Sequence, residues 1–370
     1  MSKGRIVVKA GTSLLTGGSD RLDGDVMASL VAQVAELRRR GSEMILVSSG
    51  AVAAGRQVLG TVREGKGLPA RQMLAAVGQS HLMRMYEERF GRHGVTVAQA
   101  LLSRRDLTDR LGYLNVRNTL IELMDRRVVP IINENDVVAV EEITGDVFGD
   151  NDTLSAMVAN LVDADLLVML GEIEGLFTAD PHIDPNARLI STVERLDEET
   201  ESRGGPSSGD YGRGGMATKL EAARLATASG VDVVIAGGTQ PDVLVRLANG
   251  ESIGTAFPAT STKMESRKRW MLSGLSTRGE ILVDDGAARA LRHQARSLLP
   301  AGVTDVQGAF DRGDIVSIVD GRETQVACGI ANYSSTDLSK IRGVRSGRIE
   351  EILGRQYGDE VVHRSNMVLL

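Results

Sequence analysis

Two lysines, far apart in the chain, each sit beside a glycine-bearing turn. Lys9 lies in Ile6-Val7-Val8-Lys9-Ala10-Gly11-Thr12-Ser13, at the end of the first apolar run, and Lys219 closes Gly212-Arg213-Gly214-Gly215-Met216-Ala217-Thr218-Lys219, where a helical pattern starts. Phosphate chemistry calls for this pairing. Glycine lets backbone N–H groups approach an anion closely, and a cation neutralises charge that moves between oxygens. Two acidic and amide-rich clusters, Asn133-Glu134-Asn135-Asp136 and Gly149-Asp150-Asn151-Asp152, offer groups that suit the α-amino and α-carboxylate ends of an amino acid. Together these residues point to transfer of a phosphoryl group from a nucleotide to a small acid.

Each motif also has a plainer reading. Gly212–Lys219 lacks the second glycine that precedes Lys-Ser/Thr in a Walker A loop. It matches Gly-x-Gly-x-x-Ala, but a dinucleotide fingerprint follows a strand, and Arg203–Tyr211 is polar. It reads as a glycine turn feeding a helix N-terminus, with Lys219 in reach of a nucleotide phosphate, or as an ordinary loop that caps a helix. Lys9 and Gly11 follow a strand, where open α/β sheets bind ligands; the alternative is a surface lysine. Ser48-Ser49-Gly50 can hold a carboxylate or phosphate, or simply cap the helix that follows. Asp152 can orient a lysine or cap its own helix.

The elements that must position these groups alternate. Strand-like runs cover Ile6–Val8, Met44–Val47, Val95–Ala98, Val128–Ile132, Leu166–Leu170 and Val231–Ala236. Their near-continuous Val/Ile/Leu content marks strands buried on both faces. Helical patterns fall between them, at Asp25–Arg40, Leu68–Phe90, Tyr113–Arg127, Asp152–Val162 and Met216–Ser229. This order predicts an α/β fold, a mostly parallel open sheet sandwiched by helices. Residues 201–215, rich in Gly and Ser, read as a mobile flap. Beyond residue 278 the short runs Glu280–Val283, Asp305–Ala309, Asp314–Val319 and Gln325–Ile330 predict a small, mostly-β module. The expected division is a nucleotide- and acid-binding domain over 1–257, a linker over 258–277, the β module over 278–355 and a tail over 356–370.

Composition narrows the function classes. The formal net charge is −6, which gives no bulk electrostatic footprint for nucleic acid or membrane. One cysteine, Cys328, excludes an internal disulfide, and the five scattered histidines form no His-x-x-x-His pair, so a zinc site is not expected. The chain opens directly into a strand-like run, and no apolar segment nears the ~18 residues of a spanning helix. The cytoplasm is therefore the expected compartment, with no membrane partner.

The sequence resembles the amino acid kinase family, and in particular its branch that phosphorylates the glutamate side chain. The motifs that carry the resemblance span nearly the whole chain: Lys9-Ala10-Gly11-Thr12-Ser13, Ser48-Ser49-Gly50-Ala51, Leu74-Ala75-Ala76-Val77-Gly78-Gln79, Val129-Pro130-Ile131-Ile132-Asn133-Glu134-Asn135-Asp136, Gly149-Asp150-Asn151-Asp152, Gly175-Leu176-Phe177-Thr178-Ala179-Asp180-Pro181 and Gly214–Lys219. The C-terminal module resembles the PUA domain. The resemblance implies ATP and Mg²⁺, with Lys9 and Lys219 stabilising the transferring phosphoryl group and Asp152 positioning them. Ser49, Asp136 and Asn151 would hold L-glutamate. Lys9, Gly11, Gly171, Glu172, Arg213, Gly214, Gly215, Met216, Ala217, Thr218 and Lys219 would line the ATP site, with no metal ligand from the protein. It further implies the first step of proline biosynthesis, feedback inhibition by proline, a homo-oligomer (tetramer or dimer) and contact with the next pathway enzyme.

Three positions depart from the family pattern. Gly171-Glu172 replaces the usual Thr-Asp after the fifth strand, Arg213 stands where Thr is usual, and Ser48 replaces a common Thr. The competing readings are a sister kinase acting on acetylglutamate, aspartate or carbamate, and an RNA-binding protein built on the PUA-like module. Residues 278–355 carry 11 basic and 11 acidic side chains, which is not the basic balance of an RNA binder.

Overall fold

The computed structural model describes residues 4–60, 67–138, 151–181, 183–196, 215–263, 277–294, 296–322 and 324–369. The chain forms two units, Met1–Leu107 with Val116–Lys263, and Thr108–Asn115 with Met264–Leu370.

The first unit is built on seven strands: β1 (Arg5–Ala10), β2 (Glu43–Ser48), β3 (Val97–Leu102), β4 (Val129–Glu134), β5 (Leu166–Gly171), β6 (Asp232–Gly237) and β7 (Thr255–Phe257). Their order is β3-β4-β2-β1-β5-β6-β7, parallel throughout except for the β6–β7 pair. β1, β2 and β5 are buried over most of their length, which is why they read as unbroken apolar runs. The chain leaves β1 toward β2 on one side, and β5 pairs on the other. The crevice beyond the C-terminal ends of β1 and β5 is therefore a topological switch point, where sheets of this kind bind ligands. β3 differs from expectation. The run Val95–Ala98 predicts its start too early, and pairing with β4 extends it from Val97↔Val129 to Leu102↔Glu134. As an edge strand with Gln99 and Leu101 exposed, it needs no continuous apolar stretch.

Nine helices are described in or beside this sheet: α1 (Thr12–Thr16), α2 (Gly24–Arg39), α3 (Ala51–Leu59), α4 (Leu68–Gly91), α5 (Arg104–Thr108), α6 (Arg110–Asp125), α7 (Asn151–Leu161), α8 (Met216–Ala228) and α9 (Val243–Ala248). α2 forms where Asp23 caps the N–H groups of Asp25 and Val26, with Arg38 and Arg39 at its negative end. α3 and α4 meet through glycine. A Cβ on Gly78 would lie 1.8 Å from the Ala51 carbonyl oxygen, and one on Gly55 would lie 2.0 Å from that of Leu74. Both obstacles are backbone, so no side chain can move aside. Gly78→Ala is expected to destabilise the protein by about 1–3 kcal/mol, the usual scale of overpacking. That lowers the melting temperature by about 2–12 °C. An unchanged melting curve would mean that the two helices separate freely.

Residues 258–263, expected to begin a linker, are instead docked on the first unit. The Ala259 N–H donates to Asp232, the Ser261 hydroxyl to the Ala228 carbonyl, and Lys263 Nζ to the Asp163 carbonyl and the Asp165 carboxylate. Polar composition concealed this because the anchoring bonds are themselves polar. Residues 264–276 lie outside the described residues.

The second unit is a five-stranded sheet of β8 (Gly279–Val283), β9 (Val303–Gly308), β10 (Ile315–Val319), β11 (Gln325–Ile330) and β12 (Met367–Leu369), in the order β12-β11-β10-β8-β9. It carries α10 (Asp285–Gln294), α11 (Ser335–Ile341) and α12 (Ile349–Leu353). Residues 356–370 are no tail. Val361 and Val362 are buried in the core, and β12 pairs with β11 from Ala327↔Leu369 to Gly329↔Met367. A smaller cluster joins Leu114 to Ile315, Cys328, Ile330 and Val368, with Tyr113 packed against it. Among the described residues, no helix is long and apolar enough to cross a membrane.

Candidate active site

Lys9, Gly11, Ser49, Asp136, Gly171 and Glu172 lie at or just beyond the C-terminal ends of β1, β2, β4 and β5. Lys9, the penultimate residue of β1, is 3% exposed and thus no surface lysine. Asp152, in the first turn of α7, is fully buried. Lys9 Nζ lies 2.6 Å from Asp152 Oδ1, and Lys219 Nζ lies 3.0 Å from Oδ2. The Thr218 hydroxyl, from the first turn of α8, donates to Oδ2 at 2.8 Å. Asp152 therefore faces the two amines. Burial by itself would raise the Asp152 pKa, but the two ammonium groups outweigh it and hold the carboxyl well below the usual carboxylate range. The three charged side chains carry one net positive charge in a desolvated place, an arrangement suited to an anion.

Glycine keeps the space beside both amines open. A Cβ on Gly11 would lie 3.4 Å from Lys9 Nζ, and one on Gly171 would lie 3.5 Å from Lys219 Cε. Glu172 is exposed, with Oε1 toward the Gly17–Gly18 turn that ends α1. Gly215 begins α8 in extended conformation with no side-chain cap, and Met216 and Ala217 follow in its first turn. Arg213 and Gly214, and the expected flap apart from Gly215, lie outside the described residues, as do Gly149 and Asp150.

A second group of side chains is linked by amides. Asn151 Nδ2 donates to Ser49 Oγ at 3.0 Å and to Asn133 Oδ1 at 3.2 Å, and Asn133 Nδ2 donates to Gln79 Oε1 at 2.8 Å. Ser49 follows β2 directly, and Gly50 after it, at φ 100°, takes the left-handed conformation that starts α3. Asp136 is half-buried in the turn after β4. Asn151 and Asp152 are neighbours on α7, so one helix end serves both the lysine pair and the amide chain.

Sequence reasoning left Gln79 and Tyr86 without roles, and offered Asn133 only as one of a cluster of amides and acids suited to the ends of an amino acid. The Tyr86 hydroxyl is 2.8 Å from Ser48 Oγ, which donates to the Ser49 carbonyl, so α4 braces the turn that bears Ser49. Gln79 and Tyr86 stand seven residues apart on one face of α4, and that spacing was the available signal.

Among the described residues no group of three His, Cys, Asp or Glu side chains could hold a metal ion. A divalent ion entering with a nucleotide would be held by phosphate oxygens and water.

The sequence profile of the amino acid kinase family matches residues 4–237. The chain belongs to the amino acid kinase family. The PUA domain profile matches residues 279–353. Within the amino acid kinases, a glutamate 5-kinase from Dehalococcoides mccartyi is 54% identical, with 99% of this chain and 98% of that one covered. Glutamate 5-kinases from Herpetosiphon aurantiacus and Photobacterium profundum are 51% and 48% identical, covering 98% and 100% of this chain and 98% and 97% of theirs. Among solved structures, a UMP kinase from Bacillus anthracis matches with a TM-score of 0.47 at 14% identity, over 70% of this chain and 97% of that one. This amino acid kinase is a phosphotransferase.

Proposed function

We propose that the protein transfers the γ-phosphoryl group of ATP to the side-chain carboxylate of L-glutamate, giving γ-glutamyl phosphate and ADP, the first step of proline biosynthesis. The observation that carries this reading is the convergence of Lys9 and Lys219 on Asp152 at the switch point, beside the amide chain of Asn151. The relatives' names support glutamate as acceptor.

The chemistry asks for little acid–base help. A glutamate side chain has a pKa of about 4.3, so it is already a nucleophile at neutral pH. That accords with a site built without histidine. One carboxylate oxygen forms a bond to the γ-phosphorus while the bond to the β–γ bridging oxygen breaks, and ADP leaves with that electron pair. No proton changes hands. The transition state spreads charge over the phosphoryl oxygens, so catalysis consists of positioning and electrostatics. Lys9 serves the γ-phosphoryl oxygens, Lys219 the leaving β–γ side, and Asp152 sets the two amines at fixed places. Gly11, Gly171, Glu172 and the Arg213–Lys219 stretch line the ATP site. Ser49, Asp136 and Asn151 hold the amino acid. Magnesium bound to the ATP phosphates would neutralise part of their charge. Proline acts as a feedback inhibitor at or overlapping the glutamate site, and the enzyme works as a homo-oligomer.

The test is ADP release from MgATP and L-glutamate, with hydroxylamine present to trap acyl phosphate as hydroxamate. Glutamate-dependent hydroxamate, suppressed by proline, is the expected result. Turnover with aspartate or acetylglutamate in place of glutamate would overturn the substrate, and hydroxamate insensitive to proline would remove the inhibition.

A further inference from the structure

Gln79 belongs to a motif that phosphoryl transfer leaves unused. It follows Gly78 at the closest approach of α3 and α4, so its backbone is held against the helix that follows Ser49. Its Oε1 accepts from Asn133 Nδ2. That bond and the Glu134 N–H together set which end of the Asn133 amide faces the site. With Nδ2 turned to Gln79, Oδ1 is left to accept, and it accepts from the Glu134 N–H at 2.9 Å and from Asn151 Nδ2. Asn151 in turn commits Nδ2 to Asn133 and Ser49, and among the described residues its buried Oδ1 has no hydrogen-bond partner. The Ser49 hydroxyl, which accepts from Asn151, keeps its proton to give. The chain of amides thus ends in one acceptor and one donor.

An α-amino acid brings the complement, an ammonium that only donates and a carboxylate that only accepts. A residue without an acceptor at position 79 would leave the Asn133 Nδ2 without its buried acceptor and the amide held from its Oδ1 side alone. The amide would then sit less firmly against Asn151 Nδ2, and Asn151 and Ser49 would lose a fixed neighbour.

We propose that Gln79 is a positioning residue that fixes the donor and acceptor order of the Asn133–Asn151–Ser49 chain, and through it the affinity for the head group of the amino-acid substrate. This rests on the function proposed above for the same site.

The test compares Gln79→Met, of similar length but with no acceptor oxygen, with Gln79→Glu, which keeps one. Steady-state kinetics are measured with each substrate varied, alongside calorimetric binding of the acid without ATP. Wild-type turnover comes first. If the wild type uses an acid other than glutamate, that acid is used throughout, so failure of the substrate reading stays separate from failure of this one.

Gln79→Met is expected to raise KM for the acid about tenfold, the scale of one buried polar bond. Its kcat, KM for ATP and melting temperature stay near wild type, and Gln79→Glu recovers most of the affinity. Because Gln79 acts through Asn151, Gln79→Met adds nothing to KM in an Asn151→Ala background. Three results would each overturn the proposal: a KM within twofold of wild type in Gln79→Met, equal losses in the Met and Glu variants, or multiplying effects in the double variant.

Discussion

Lys219→Met is expected to lower turnover by about a thousandfold or more, while the protein melts close to the wild-type temperature. The rate loss is the scale of removing a strong charge partner of the transition state. The stability argument is separate. Taking away one lysine leaves Lys9 and Asp152 as a buried pair that is neutral overall and in direct contact at 2.6 Å. Lys9→Met has the mirror consequence, leaving Lys219 with Asp152. Initial rates under saturating MgATP and acid, beside a thermal melt, check both halves. A loss below tenfold for either variant removes that lysine from the chemistry.

Asp152→Asn should fail differently. It keeps the shape of the side chain but leaves two ammonium groups facing one another without an anion between them, in a place with no solvent to disperse the charge. Removing one partner from a buried ion pair costs about 3–5 kcal/mol, so this variant should melt roughly 6–20 °C lower. Turnover falls as well, because the two amines lose their fixed placement.

The pH dependence has a definite sign. The Asp152 pKa is depressed in the folded protein, so its contribution is complete above the unfolded value of about 3.9. It is lost as pH falls toward the folded pKa. The stability gap between wild type and Asp152→Asn should therefore be constant from about pH 5 to pH 8 and should close in stronger acid. A gap that instead opens or closes around neutrality would show that some other group carries the effect.

Much of this site was legible because its residues stand at the ends of strands with unmistakable apolar runs. Lys9 ends one such run and Gly171 another, and parallel pairing brings β1 and β5 side by side. Asp152 was ambiguous in the sequence, since an aspartate at a helix start usually caps; only packing of α7 against β1 and α8 shows where its carboxylate goes. Gln79 stood in a family motif, but its contact was hidden for a different reason. Its partner Asn133 is 54 residues away, and nothing local to Gly78-Gln79 announces a contact across that distance. β12 escaped because three residues are too few for a pattern, and its place is set by register with β11. The docked residues 258–263 were misread because polar segments that anchor through their own polar atoms look like solvent-exposed chain.

Leu114 shares its buried cluster with Ile315, Cys328, Ile330 and Val368. During synthesis Leu114 is made long before Val368, about 250 residues earlier in the chain. At ~5–20 residues per second, that interval lasts on the order of ten to fifty seconds. Throughout it, the start of α6 has no finished core to enter. How long a nascent chain exposes this apolar turn to wrong partners is therefore set by the pace of translation and not by the intrinsic folding speed of either unit.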